Sequence, residues 1–258
     1  MSYLFGDTTT AQRRLDVLAR AFQGPTHEFL SGFEPSGINL ALDLGCGPGH
    51  TTQLIADLLP FNRVVGLDKS TQFIASASDS ASPRVSFIQH DVTAFPFPVP
   101  AADLIFCRFL LPHLSNPAQA VVGWASQLSD RGLLLIEEVD WINTRHPVLE
   151  SYLTALARVL DAQGAALYAG AQMPELINGA PLKMTSDVTR RLPVSNHDAA
   201  TMFSMNIRSW GTTHPAISLY GSSFLQSLRN DLEQMTGDYS GEESEIEWGM
   251  RQMVLEPR

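Results

Sequence analysis

Cysteine is nearly missing from this chain: Cys46 and Cys107 are the only two in 258 residues. That excludes a disulfide-stapled scaffold. Positive charge is also scarce. Seventeen lysines and arginines face 27 aspartates and glutamates, a formal net charge of −10, whereas a general nucleic-acid binder presents a basic face. No apolar run has the length of a membrane span. The start, Met1–Asp7, lacks the basic residues and apolar stretch of a secretory signal. These absences point to a cytoplasmic protein with neither nucleic acid nor membrane as partner. Internal repeats and low-complexity linkers are missing as well.

What is present is ordinary globular composition, 44% hydrophobic and 17% charged, on a chain long enough to bury a substantial core. The informative stretch is Leu40–Thr52, L-A-L-D-L-G-C-G-P-G-H-T-T. Its first residues suit a strand buried on both faces of a parallel sheet. Gly45, Gly47 and Gly49 follow at alternate positions, and an amphipathic run begins at His50. Glycines at a strand-to-helix turn permit positive φ and let backbone N–H groups approach a ligand. A dinucleotide fingerprint would need its third glycine where His50 stands, and no phosphate-loop lysine motif occurs. The turn is a cofactor seat of another kind.

The rest of the chain alternates. Strands are expected at Arg63–Asp68, Val85–Asp91, Asp103–Phe109 and Gly132–Val139, with helices between them. Ser70 is placed to cap one helix, and Pro117 opens another whose inner face is Val121, Trp124, Ala125 and Leu128. That rhythm predicts a doubly wound, mostly parallel α/β sheet. Residues 10–30 read as helix broken near Gly24-Pro25, and 33–37 as a turn. Beyond Asp140 the spacing predicts helices over 148–160, 172–178, 197–210 and 217–234, a sixth strand over 182–192 and a last one over 248–255. The expected organisation is one structural domain: a helical cap (1–35), a binding core (36–141), and lid helices with the final strands (142–258).

Acids mark the strand ends. Asp68 closes the second strand 21 residues after Gly47, and Asp91 closes the third. Ligands of open α/β sheets bind at the carboxyl ends of the strands. An acid at the second tip can accept both hydroxyls of a ribose, and one at the third can accept from an adenine amino group. Carboxylates also favour a cationic centre. Adenosine plus a sulfonium describes S-adenosylmethionine.

The series L-D-L-G-C-G-P-G, G-L-D-K-S, F-I-Q-H-D-V and D-L-I-F-C-R-F-L-L-P-H-L resembles the motifs of class I S-adenosylmethionine-dependent methyltransferases of the small-molecule type, over roughly residues 38–140. The resemblance implies a seven-stranded Rossmann-like sheet, S-adenosylmethionine as cofactor, and methyl transfer (EC 2.1.1 class) to oxygen, nitrogen or a carboxylate of a small or peptide-like metabolite, as in secondary metabolism. By it, Gly45, Cys46 and Gly47 line the methionine moiety, Asp68 binds the ribose, and Lys69 flanks the adenine. Asp91 and Val92 meet the adenine ring, and Arg108 sits near the methionine end. Arg14 or Arg13 reaches the cofactor carboxylate, with Tyr3 closing over it. His113 is a candidate general base, beside the reading of a structural helix-start histidine, and Glu138 is a candidate where substrate would lie. Asp43 is expected to hold the glycine-turn backbone, and both cysteines to lie at strand tips near the cofactor. No metal is expected. A homodimer is compatible with the sequence, which does not set the oligomeric state. Two alternatives stay open: a protein of this fold that binds the cofactor but performs a cyclisation or isomerisation, and a non-catalytic partner subunit.

Overall fold

The computed structural model describes residues 9–32, 38–237 and 244–258; Tyr3, the turn at 33–37 and most of the acidic stretch after residue 237 lie outside them. Seven strands form one sheet: β1 (Leu40–Leu44), β2 (Arg63–Asp68), β3 (Val85–Gln89), β4 (Ala102–Arg108), β5 (Leu128–Thr144), β6 (Leu182–Val194) and β7 (Ile246–Pro257). Their order is β3-β2-β1-β4-β5-β7-β6. The first five strands pair in parallel, and β7 runs antiparallel between β5 and β6. All five residues of β1 are buried, which is why the strand reads as an unbroken apolar run around Asp43. The expected doubly wound, mostly parallel seven-stranded sheet is the observed one.

Helices cover both faces. The helix α2 (His50–Leu58) follows β1, α3 (Thr71–Ser78) follows β2, α4 (Pro117–Ala125) follows β4, and α5 (Pro147–Asp161), α6 (Ala169–Ile177), α7 (Asn196–Trp210) and α8 (His214–Met235) come from the second half. Ser70 caps α3 as expected, its Oγ accepting from the Phe73 N–H at 3.2 Å. Two expectations need correction. Leu128 begins β5 and is not on α4, which ends at Ala125. The N-terminal helix α1 (Thr9–Ser31) runs unbroken through Gly24-Pro25. Proline normally costs a helix an N–H bond and crowds the preceding turn. Here the flanking backbone is held from outside: Gln252 donates to the Pro25 carbonyl at 3.1 Å, and the Thr26 hydroxyl is 3.0 Å from the Phe22 carbonyl and 2.6 Å from Glu137.

One hydrophobic cluster seats α1, α5, α7 and α8 against β7. At its centre Tyr152 stacks on Phe203 (4.0 Å, 13°), with Trp210 and Trp248 within 6 Å. These rings, spread over two helices and a strand, hold the covering helices in place. Phe203→Ala is expected to cost about 3–5 kcal/mol of stability, read as a lowered denaturant midpoint; a loss under about 1 kcal/mol would mean that the cluster does not anchor the helices.

Candidate functional site

After β1 the chain turns through Gly45, Gly47 and Gly49, whose φ angles are 67°, 52° and 91°. These left-handed values favour glycine. A Cβ on Gly49 would stand 2.8 Å from the Phe87 ring. The turn is tied to β2. Gly45 and Cys46 donate to the Leu67 carbonyl at 2.8 and 3.1 Å, and the Gly47 N–H donates to Asp68 Oδ2 at 2.9 Å. Asp68 Oδ1 takes the Ser70 N–H at 2.8 Å. Asp68 also lines the cavity described below. Asp43 lies one layer below. It accepts from the Thr52 hydroxyl at 2.7 Å and so braces α2, not the glycine-turn backbone as expected. Burial pushes its carboxyl up to about 7, against the opposing pull of Thr52 and Arg108.

A cavity of about 510 Å³ opens over this turn. Gly45, Cys46, Gly47, Asp68, Lys69, Asp91, Val92, Arg108 and Arg14 all line it, as does His113. Of the two N-terminal arginines it is Arg14 that faces the cavity; Arg13 is exposed. One end is acidic. Asp91 lies two residues past β3 and accepts from Lys69 at 2.9 Å and from the Thr93 N–H and hydroxyl at 3.0 and 2.7 Å. Those bonds, Lys69 foremost, hold its carboxyl down to about 2. The Lys69–Asp91 pair is solvent-exposed and contributes little to stability. Val92 is fixed from behind, its carbonyl accepting the Trp124 indole N–H at 2.9 Å.

The other end is basic. Arg14 lies on α1, with Nη1 3.3 Å from Asn206 Oδ1. Arg108 ends β4, donates from Nη1 to the Thr26 hydroxyl at 2.8 Å and lies 5.4 Å over the Phe109 ring. Phe109 itself has φ 54°, a strained value for a non-glycine residue and one that concentrates at functional sites. Glu137 and Glu138 face opposite ways, as strand alternation requires. Glu137 is fully buried and accepts from Thr26 and from Gln252 Nε2, both at 2.6 Å. Glu138 does not reach the cavity. Its Oε1 accepts the Leu110 and Leu111 N–H groups at 2.7 and 2.8 Å, and burial pushes its carboxyl up to about 8.

The expectation that Glu138 lies where substrate would is therefore corrected: β5 continues to Thr144, paired with β7, so Glu138 sits within the sheet and shapes the loop after β4. Cys107 is buried in the sheet core and only Cys46 reaches the cavity. Burial, with Arg14 beside it, pushes His113 down to about 3, so it is a neutral imidazole and a weak proton acceptor at neutral pH. Among the described residues no cluster of three or more His, Cys, Asp or Glu could hold a metal. Sequence reasoning missed Thr26, Phe109, Leu15 and Leu18. For the two leucines a signal existed, the apolar spacing along α1; for Thr26 and Phe109 none did.

Residues 41–132 match the family model described as a methyltransferase domain. The core of this chain is thus similar to a methyltransferase domain. The domain is 33% identical over 117 residues to trans-aconitate 2-methyltransferase of Paracidovorax citrulli, 45% of each chain. With the Escherichia coli protein of the same name it shares 32% over 126 residues, 48% of this chain and 49% of that one. The match spans about half the length of these relatives. Among solved structures, the plantazolicin methyltransferase BpumL, in complex with a desmethyl plantazolicin analogue and S-adenosylhomocysteine, aligns with TM-score 0.55 at 15% identity, covering 98% of this chain and 93% of that one. The [4+2]-cyclase SpnF aligns with TM-score 0.52 at 18% identity, covering 96% and 81%. At such identities the likeness shows the fold.

The buried acids set a pH dependence. Glu138 and Asp43, raised by burial to about 8 and about 7, keep protons that the unfolded chain releases. The stability each lends is complete below its unfolded pKa and is lost as pH rises through the folded one. Asp91, held low, acts oppositely, its contribution disappearing as pH falls toward about 2. The denaturant midpoint should therefore fall between about pH 5 and pH 8.5, and Glu138→Gln, which keeps an acceptor for Leu110 and Leu111, should shallow that fall. An unchanged slope in the variant would contradict the assignment.

Proposed function

We propose that this chain is an S-adenosylmethionine-dependent methyltransferase acting on a small or peptide-like acceptor. One observation carries the reading: a single cavity joins the glycine turn, Asp68 and Asp91 at the carboxyl ends of β1, β2 and β3. Asp68, at the β2 tip and in the cavity wall, accepts the ribose hydroxyls. Val92 packs on the adenine ring, with Asp91 and Lys69 beside it, while the backbone of Gly45 to Gly47 follows the methionine moiety and Arg14 takes its carboxylate. When bound, the cofactor supplies a methyl group on a sulfonium, already activated for displacement. The chain's own contribution is alignment, exclusion of water and charge complementarity. From α1, Leu15, Leu18 and Ala19 line the cavity and contribute to the choice of acceptor.

Neither base expected from the sequence, His113 or Glu138, is placed to serve the acceptor, which favours an acceptor atom that needs no general base. His113 is held neutral with little basicity, and Glu138 is sealed behind the Leu110-Leu111 backbone. A carboxylate oxygen or a neutral amine is nucleophilic without help; an alcohol is not. A carboxylate oxygen agrees with the name of the trans-aconitate relatives, since trans-aconitate is a carboxylic acid.

Calorimetry should show S-adenosylhomocysteine binding to the wild type and a loss of about 100-fold or more in Asp68→Ala, as expected when a buried bidentate contact to a ligand is removed. No binding by the wild type would sink the proposal. Incubation with carboxylic acids and S-adenosylmethionine should release S-adenosylhomocysteine; product formation with the cofactor recovered intact would favour the cyclisation reading.

A further inference from the structure

We propose that Arg108 receives an anionic group of the acceptor, a carboxylate other than the atom that takes the methyl group, and that Thr26 and Glu137 are the positioning residues that aim it. The inference rests on the methyltransferase reading above and deepens it: the acceptor is a small acid with a second nucleophilic group, a dicarboxylic acid being the simplest case.

The placement comes from the sheet. In the order β3-β2-β1-β4-β5-β7-β6, the acids Asp68 and Asp91 stand at the β2 and β3 tips, the glycine turn at the β1 tip and Arg108 at the β4 tip. Arg108 is tethered further from the acids, through Thr26 to Glu137 on β5 and Gln252 on β7. Its guanidinium thus lies beyond the glycine turn, on the side from which an acceptor meets the methionine end. Phe109, Leu110 and Leu114 give this part of the wall its apolar character.

The guanidinium is set rather than mobile. Among the described residues its one hydrogen bond goes to Thr26 and it makes no ion pair. Glu137, reached through the Thr26 hydroxyl, and the more distant Asp43 attract it electrostatically, and the side chain lines the cavity. A fixed, partly desolvated guanidinium matches the planar geometry of a carboxylate. A carboxylate clamped there has its lone pairs engaged and is a poor nucleophile, so it orients the acceptor while another group reacts. The cofactor's own carboxylate falls to Arg14 on α1, which leaves Arg108 for the acceptor.

The test uses the full chain saturated with S-adenosylhomocysteine, titrated calorimetrically with trans-aconitate and succinate and with their fully methylated esters. The wild type is expected to bind at least one acid and neither ester. Arg108→Gln should weaken that acid about 10- to 100-fold while leaving S-adenosylhomocysteine affinity within about threefold. Thr26→Val, which keeps the arginine and removes its anchor, should weaken the acid by a smaller factor, and Thr26→Ser should restore it. A merely structural role for the hydroxyl would alter cofactor and acid binding together. Three results would overturn the proposal: no binding of either acid, acid affinity unchanged in Arg108→Gln, or a loss of S-adenosylhomocysteine affinity in that variant as large as the loss of acid affinity, which would give Arg108 to the cofactor. Failure of the wild type to bind S-adenosylhomocysteine would instead remove the functional reading on which the proposal stands.

Discussion

The hydrogen bond from the Gly47 N–H to the Asp68 carboxylate at 2.9 Å, beside the Gly45 and Cys46 bonds to the Leu67 carbonyl, joins the two halves of the site. It ties the turn after β1 to the tip of β2, which are neighbours in the sheet only because the chain crosses over through α2. The left-handed glycines need such a restraint, since a glycine-rich turn is otherwise the most mobile part of an α/β unit. The same carboxylate also takes the Ser70 N–H and so orders the entry to α3. A turn, a strand tip and a helix entry are therefore set by one side chain, and the cavity takes its acidic end from it.

Three further carboxylates are buried around the cavity, and none of them lines it. Asp43 braces α2 through Thr52, Glu138 holds the backbone after β4, and Glu137 collects Thr26 and Gln252. Burying a carboxyl is costly unless it is hydrogen-bonded or protonated, and the upward pull on all three expresses that cost. What the fold gains is position. Glu138 fixes the loop that carries Phe109 to His113, and Glu137 fixes both α1 and the arginine at the basic end. The cavity is polar at its ends and held by acids that do not line it.

Much of this was legible in the sequence because it is local. Strands buried on both faces read as apolar runs, glycines at alternate positions mark the turn, and the acids at the tips of β2 and β3 stand where the ligand end of an open sheet must be. The path of α1 was not legible. Proline within a helix signals a break, and what overrides the signal comes from Gln252, 227 residues away. Leu128 fits the spacing of α4 equally well, and only its pairing opposite Ala102 puts it in β5. Glu138 looked like a strand-end acid because nothing local shows that β5 runs on to Thr144. The strained backbone at Phe109 and the link from Thr26 to Arg108 leave no mark in spacing or composition, since they exist only once α1 lies across the sheet.

In the function proposed above, one cavity seats an adenosine at the acidic end and presents the methyl group toward the basic end. A crystal structure with S-adenosylhomocysteine tests it most directly. The account predicts the ribose hydroxyls on Asp68, the adenine against Val92, and the sulfur on the Arg108 side of the glycine turn with open cavity beyond it. A ligand bound with its ribose away from Asp68, or with its sulfur facing Asp91, would contradict it.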